Sequence, residues 1–182
     1  MKTFIYFSYG SNMLTERLEA RCPSAIVIGA ARLAGYGLRF TKLSDRDMSA
    51  KATIAPAVEE RVFGVLYEID LAELADLDRA EGAPKGYRRV ELDGFERLSD
   101  RARQPAITYV EQPDHHDPKL RPYDWYLALV LAGARQNDLP ADYIDGIAAQ
   151  AFAVDPDPER KTRNEALVLL EKAGFTADGD FR

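Results

Sequence analysis

The 182-residue chain contains a single cysteine, Cys22, and two histidines, His115 and His116. One cysteine rules out an internal disulfide and any cysteine-based metal cluster. With no histidine near it in sequence, Cys22 is also a poor candidate nucleophile. The adjacent histidines lie in a Pro- and Asp-rich loop with no third ligand close by in sequence, so no metal is expected. Positive charge is scarce as well: 24 Lys and Arg stand against 30 Asp and Glu, a net charge of -6. Basic residues form no stripe with interleaved aromatics. Neither nucleic acid nor an anionic membrane is therefore expected as a partner. No apolar run approaches the roughly 18 residues of a membrane span. The first residues enter a strand without the order of a secretory signal, and a reducing cytoplasm is the expected setting. What the chain does have is 46% hydrophobic residues over a length that suits one domain with a real core.

The most informative segment runs from Phe4 to Met13, FIYFSYGSNM. Phe4, Ile5, Tyr6 and Phe7 suit a pleated, buried strand. The run stops at Tyr9-Gly10-Ser11-Asn12, where Gly10 is expected to permit a turn closed to other residues. Ser11 or Asn12 is expected to cap a helix through Met13, Leu14, Leu18 and Glu19. A strand that turns tightly into a helix N-terminus leaves backbone N–H groups unpaired. Such groups bind a carboxylate, a phosphate or a developing oxyanion. The segment lacks the Gly-Lys-Ser/Thr of a P-loop and the spaced glycines of a dinucleotide turn. Ser11 also lacks the Gly-x-Ser-x-Gly elbow of a hydrolase nucleophile.

A second candidate is Glu81. The helix expected over Leu71–Glu81 carries Leu71, Leu74 and Leu77 on one stripe, and Glu81 falls on that stripe. Glu81 also ends the helix, where the dipole disfavours negative charge, and Gly82 suits a left-handed cap. Desolvation and dipole together are expected to make this carboxylate a better base, able to return the proton as an acid. Glu73, Asp76 and Asp78 fall off the stripe and are expected to be solvated.

The remaining pattern gives strands at Ala25–Leu33, Tyr36–Thr41, Ala52–Ala55 (ended by Pro56), Arg61–Ile69, Tyr87–Leu98 and Pro105–Glu111. Polar loops are expected over Lys42–Ser49 and Gln112–Arg121. Helices are expected near Tyr123–Gln136, Ala141–Gln150 and Arg163–Lys172. Tyr123, Tyr126, Leu127, Val130, Leu131 and Ala134 follow helical spacing, and a tyrosine hydroxyl on that apolar face needs a partner. Strands fill the first two thirds and helices the last, which predicts an α+β domain.

Three segments, YFSYGSNMLTER, LDRAEGAPKGYRR and YLALVLAGARQNDLPADY, resemble the γ-glutamylcyclotransferase (AIG2-like) family in order and spacing. The resemblance covers about residues 4–150. It implies a small mixed β-barrel with flanking helices. It also implies cofactor-independent conversion of γ-glutamyl amino acids or amines to 5-oxoproline and a free amine. By position, Glu81 matches the family's acid/base carboxylate. Tyr6, Phe7, Ser8, Tyr9, Gly10, Ser11 and Asn12 match its substrate-binding turn, and Tyr87 and Tyr126 its pocket tyrosines. Residues 1–150 are expected to form this domain, with 151–182 a helical extension packed on it. The expected partner is a small γ-glutamyl substrate, and a homodimer is admitted. Removal of a γ-glutamyl protecting group from another amine, or binding without turnover, stays open.

Overall fold

The computed structural model describes residues 2–176. Five strands, β1 (Thr3–Ser8), β2 (Ile26–Leu43), β3 (Ala50–Asp70), β4 (Tyr87–Arg97) and β5 (Arg103–Glu111), close a barrel in the order β1-β3-β2-β4-β5. β1 runs antiparallel to β3, with Tyr6 opposite Tyr67, and parallel to β5, with Tyr6 opposite Ile107. That parallel closure makes the barrel mixed. Helices α1 (Thr15–Glu19), α2 (Leu74–Glu81), α3 (Asp124–Gln136), α4 (Ala141–Ala148) and α5 (Lys161–Lys172) flank it. The expected α+β barrel with flanking helices is the fold observed.

Two pairs of expected strands are in fact two long ones. β2 runs through Gly35 and β3 runs through Pro56, making one long antiparallel hairpin. The punctuation residues do not end the strands because they meet at an irregularity. The register shifts between Ala34 and Tyr36, Gly35 takes φ 79°, and Pro56 lies opposite Tyr36. A bulge has already interrupted the ladder there, so a residue without an N–H is tolerated.

α3 is buried all round from Trp125 to Ala134, as a helix without a polar face must be. It supports the turn that follows β1, Ser11–Met13, from behind. Gly133 makes this close approach possible: a Cβ there would fall 2.4 Å from the Leu14 nitrogen and 2.6 Å from the Met13 carbonyl carbon. α4 covers the outer hairpin, where the Phe63 and Tyr143 rings lie 5.0 Å apart. α5 packs on α3 through buried Ala166 and Leu170. The last six residues of the expected extension lie outside the described residues. No helix among the described residues is long and apolar enough to cross a membrane.

Candidate functional site

Alternation along β1 sorts its side chains. Tyr6 and Ser8 line a cavity of about 30 Å³, whereas Phe7 points into the core, its ring 4.5 Å from that of Phe95. Beyond β1 the chain makes a 3-10 turn at Ser11–Met13, passes through extended Leu14, and only then enters α1. Two expectations are corrected here. Neither Ser11 nor Asn12 caps α1, because the intervening 3-10 turn places Leu14 at the cap position. Gly10 has φ -119°, so it supplies room rather than an unusual backbone angle. A Cβ on it would come 3.2 Å from the Ala52 Cβ and 3.4 Å from the Tyr126 hydroxyl.

The turn is held from several sides. The Met13 carbonyl accepts from the Tyr67 hydroxyl at 2.8 Å and from Asn137 Nδ2 at 2.9 Å. Gln136 Oε1 accepts from the Thr15 amide at 2.9 Å. Within the turn, the Met13 and Leu14 amides bond back to the Gly10 and Ser11 carbonyls. Among the described residues, the amides of Gly10, Ser11 and Asn12 meet no protein acceptor. The two residues expected to cap a helix thus keep their backbone donors free, at a turn that lines the cavity.

Glu81 is the last residue of α2, and Gly82 closes the helix in the left-handed conformation, φ 70°. Only 15% of the Glu81 side chain is exposed. Its Oε1 accepts from Asn12 Nδ2 at 2.7 Å and from the Arg21 guanidinium at 3.0 Å. The same guanidinium nitrogen donates to Asn12 Oδ1 at 2.7 Å. Asn12 therefore joins the turn to the carboxylate, and Arg21 clamps both. Sequence reasoning about burial and the dipole left Arg21 out, although it falls four residues after Arg17 just beyond the motif. Glu73 and Asp78 are not simply solvated: Glu73 accepts from the Ser24 hydroxyl at 2.7 Å, and Asp78 from the Tyr109 hydroxyl at 2.7 Å.

Tyrosines make the rest of the wall. The Tyr126 hydroxyl accepts from the Ala52 amide at 3.0 Å, and the Tyr87 hydroxyl donates to the Ala52 carbonyl. Tyr9 donates to the Tyr109 carbonyl, and Asn12 Nδ2 donates to the Tyr6 hydroxyl at 3.2 Å. Burial pushes the Tyr6, Tyr9 and Tyr87 pKa values well up, and that of Tyr126 to about 12. The negative charge of Glu81 acts in the same direction. These hydroxyls stay protonated at neutral pH. Those of Tyr9 and Tyr87 are spent on backbone carbonyls, while those of Tyr6 and Tyr126, which accept from Asn12 and Ala52, keep a proton to donate to an anion. Tyr6, Ser8, Tyr9, Gly10, Ser11, Asn12, Glu81, Tyr87 and Tyr126 all line the cavity; of the residues matched by resemblance, Phe7 alone does not. Tyr109 and Ala52 complete it, and nothing in their local sequence marks them.

The cavity opens into a cleft of about 200 Å³ that shares Ser11, Glu81, Tyr87 and Tyr126 with it. Arg17, Arg21, Lys42 and Lys51 lie on the cleft wall. The Lys51 ammonium sits 4.6 Å from the Tyr126 ring centre and 4.8 Å from that of Trp125, and bonds Asp47 at 2.7 Å. Burial pushes its pKa down to about 8 against the pull of Asp47. The two histidines take separate carboxylate neighbours. His115 Nε2 lies 3.3 Å from Asp45, and His116 Nδ1 lies 2.7 Å from Glu111.

A small closed mixed barrel with a polar, tyrosine-walled, carboxylate-bearing pocket is the class that fold and site define. The AIG2-like family pattern matches residues 61–147. The γ-glutamylcyclotransferase of Mus musculus is 32% identical over 81% of this chain and 79% of its own length. That of Homo sapiens is 31% identical over 96% of this chain and 91% of its own. A solved structure titled gamma-glutamyl cyclotransferase superposes with a TM-score of 0.82 at 25% identity, covering 93% of this chain and 99% of that one. The chain belongs to the γ-glutamylcyclotransferase family.

Proposed function

We propose that this protein converts γ-glutamyl amino acids or amines to 5-oxoproline and the free amine, with Glu81 as general acid and base. One observation carries the reading: a shielded carboxylate bonded through Asn12 to a turn whose Gly10, Ser11 and Asn12 amides meet no acceptor among the described residues. The substrate supplies its own nucleophile. Its α-ammonium gives a proton to the Glu81 carboxylate, and the freed amine attacks the γ-carbonyl carbon, closing a five-membered ring. The carbonyl oxygen becomes an oxyanion, met by N–H groups of the Tyr9–Asn12 turn. Glu81 then gives that proton to the leaving nitrogen and takes the second proton from the ring nitrogen. The old C–N bond breaks, the carbonyl reforms, and the released amine takes up the second proton, leaving Glu81 ionised. No protein serine or cysteine has to form a covalent bond in this scheme.

The pocket fits what the reaction asks for. A chain that must fold back on itself gains most from being held in the attacking conformation. Walls of neutral tyrosine hydroxyls supply directional contacts with little side-chain entropy to lose. The Ser8 hydroxyl is buried on that wall beside Tyr6, a position for a ligand atom.

The test is incubation of the purified protein with γ-glutamyl-alanine, assaying 5-oxoproline, with Glu81→Gln in parallel. Product from the wild type and a drop of about 10²–10⁴ in kcat for the variant are expected. Equal rates would remove Glu81 as the acid/base group. No product from the folded wild type across a panel of γ-glutamyl amines would leave binding without turnover.

A further inference from the structure

The cations of the outer cleft are not all matched. Arg21 pairs with Glu81 at 3.0 Å, Lys51 with Asp47 at 2.7 Å, and Lys85 with Asp45 at 2.7 Å. Lys42 and Arg17 have no carboxylate partner among the described residues, yet both line the cleft beside Glu81. Lys42 is buried, and its ammonium stands 4.8 Å from the centre of the Tyr87 ring. Among the described residues the Arg17 side chain holds only the Ser11 hydroxyl, at 3.1 Å from its Nε. A buried ammonium without a carboxylate in ion-pair contact is costly, and burial pulls the Lys42 pKa down from the usual lysine value against the longer-range pull of Glu81, Asp45 and Asp47. Burial also pushes the Arg17 pKa down to about 9, still above neutral pH.

The backbone leaves room for this ammonium. A Cβ on Gly86 would fall 2.9 Å from Lys42 Nζ. Gly86 is itself buried, so the space beside it belongs to the protein interior. The glutamyl half of the substrate is provided for by the inner cavity and its turn. The unmatched positive charge lies in the outer cleft, where the leaving amine and its substituents would sit.

We propose that Lys42, assisted by Arg17, binds an anionic group carried by the leaving amine and so selects acceptors with a carboxylate over neutral amines. The proposal rests on the cyclotransferase reading for which half of the ligand lies where. Lys42 and Arg17 are specificity residues here: they touch the acceptor and take no part in proton transfer. A bound carboxylate supplies the contact ion pair that Glu81, Asp45 and Asp47 do not make with Lys42. The same two cations make neutral acceptors, which leave the charge uncompensated, the weaker class.

The experiment compares γ-glutamyl-alanine with γ-glutamyl-alaninamide, which differ in that one charge. The wild type is expected to favour the carboxylate substrate by roughly 10–100-fold in kcat/KM, the scale of a charge-assisted hydrogen bond. Lys42→Met is expected to bring that ratio close to one, mainly through KM for the carboxylate substrate. Lys42→Arg should keep most of the ratio. Gly86→Ala, which displaces the ammonium while keeping its charge, should lower it partway. Thermal melts establish that each variant is folded. A Lys42→Met loss that is equal on both substrates overturns the proposal, because it places the cation at the glutamyl end or in folding. An unchanged ratio overturns it too. If the wild type makes no 5-oxoproline from either compound, the cyclotransferase reading fails by itself. Calorimetric binding of the two compounds to wild type and Lys42→Met then reads the charge preference directly, and equal affinities overturn the proposal.

Discussion

Replacing Gly133 by alanine sets two effects of known size against each other. Gly133 lies inside α3, and in an isolated helix alanine is better than glycine by about 1 kcal/mol. Helix propensity alone therefore predicts a gain in stability. The structure predicts a loss. The added methyl would land 2.4 Å from the Leu14 nitrogen and 2.6 Å from the Met13 carbonyl carbon, where ordinary contact needs roughly 3.5–4.0 Å. Both obstacles are backbone, so no side chain can swing aside. The turn cannot retreat freely either, because Tyr67 and Asn137 hold the Met13 carbonyl. Overpacking of this kind costs about 1–3 kcal/mol, and rigid partners favour the upper end. The net expectation is a loss of about 1–2 kcal/mol, or a fall in Tm of roughly 2–8 °C for a chain of this length. The turn would move by about 1 Å relative to Glu81, which is worth about 10² in rate for groups that must stay aligned. Calorimetric melting and 5-oxoproline formation measure the two halves. A raised Tm with kcat/KM within twofold of wild type would refute the claim that α3 positions the turn.

Further outcomes follow from other contacts. Tyr126→Phe removes the acceptor of the buried Ala52 amide and should cost about 1–3 kcal/mol in urea denaturation; a change below 0.5 kcal/mol would mean that water replaces the hydroxyl. Asn12→Ala should lower kcat/KM by about 10–100-fold, since it cuts the bond from the turn to Glu81 while leaving the Arg21 pair in place. Lys51 gives a pH signature. Its folded pKa, about 8, lies below the ordinary lysine value near 10.5, so between these values the unfolded chain binds the extra proton. Stability contributed at this position is therefore least below about pH 8 and rises as pH climbs towards 10.5. Wild type should gain on Lys51→Met by on the order of 2–3 kcal/mol between pH 7 and 10.5, measured by chemical denaturation. A pH-independent difference would show that Lys51 is not desolvated.

Much of the site was legible in the sequence because its parts carry strong local signals. The aromatic run before Tyr9-Gly10-Ser11-Asn12 fixes a strand and a turn, and Gly82 fixes the end of α2 at Glu81. Alternation along β1 was legible too, and it would have separated Phe7 from Tyr6 and Ser8 had it been applied to the motif. Other features depend on distant partners. Gly35 and Pro56 look like strand breaks until they are seen on opposite strands of the same bulge. Asp78 resembles a solvated helix residue until Tyr109, 31 positions away, delivers its hydroxyl. Lys42 falls in a stretch read as a polar loop, and only the folded hairpin sets its ammonium over the Tyr87 ring.

By itself the sequence determined the local geometry at both ends of the site: a strand that stops in a donor-rich turn, and a helix that ends on a carboxylate. Periodicity and turn chemistry act over a few residues, so one chain segment is enough to specify them. Only the tertiary structure decided that these ends meet, with Asn12 Nδ2 2.7 Å from a glutamate 69 residues away. It also decided that Arg21 clamps the pair, and that a glycine in α3 lets the helix come close enough to hold the turn. Barrel closure and helix packing set such contacts by excluded volume and charge across the whole molecule, and no local pattern encodes them.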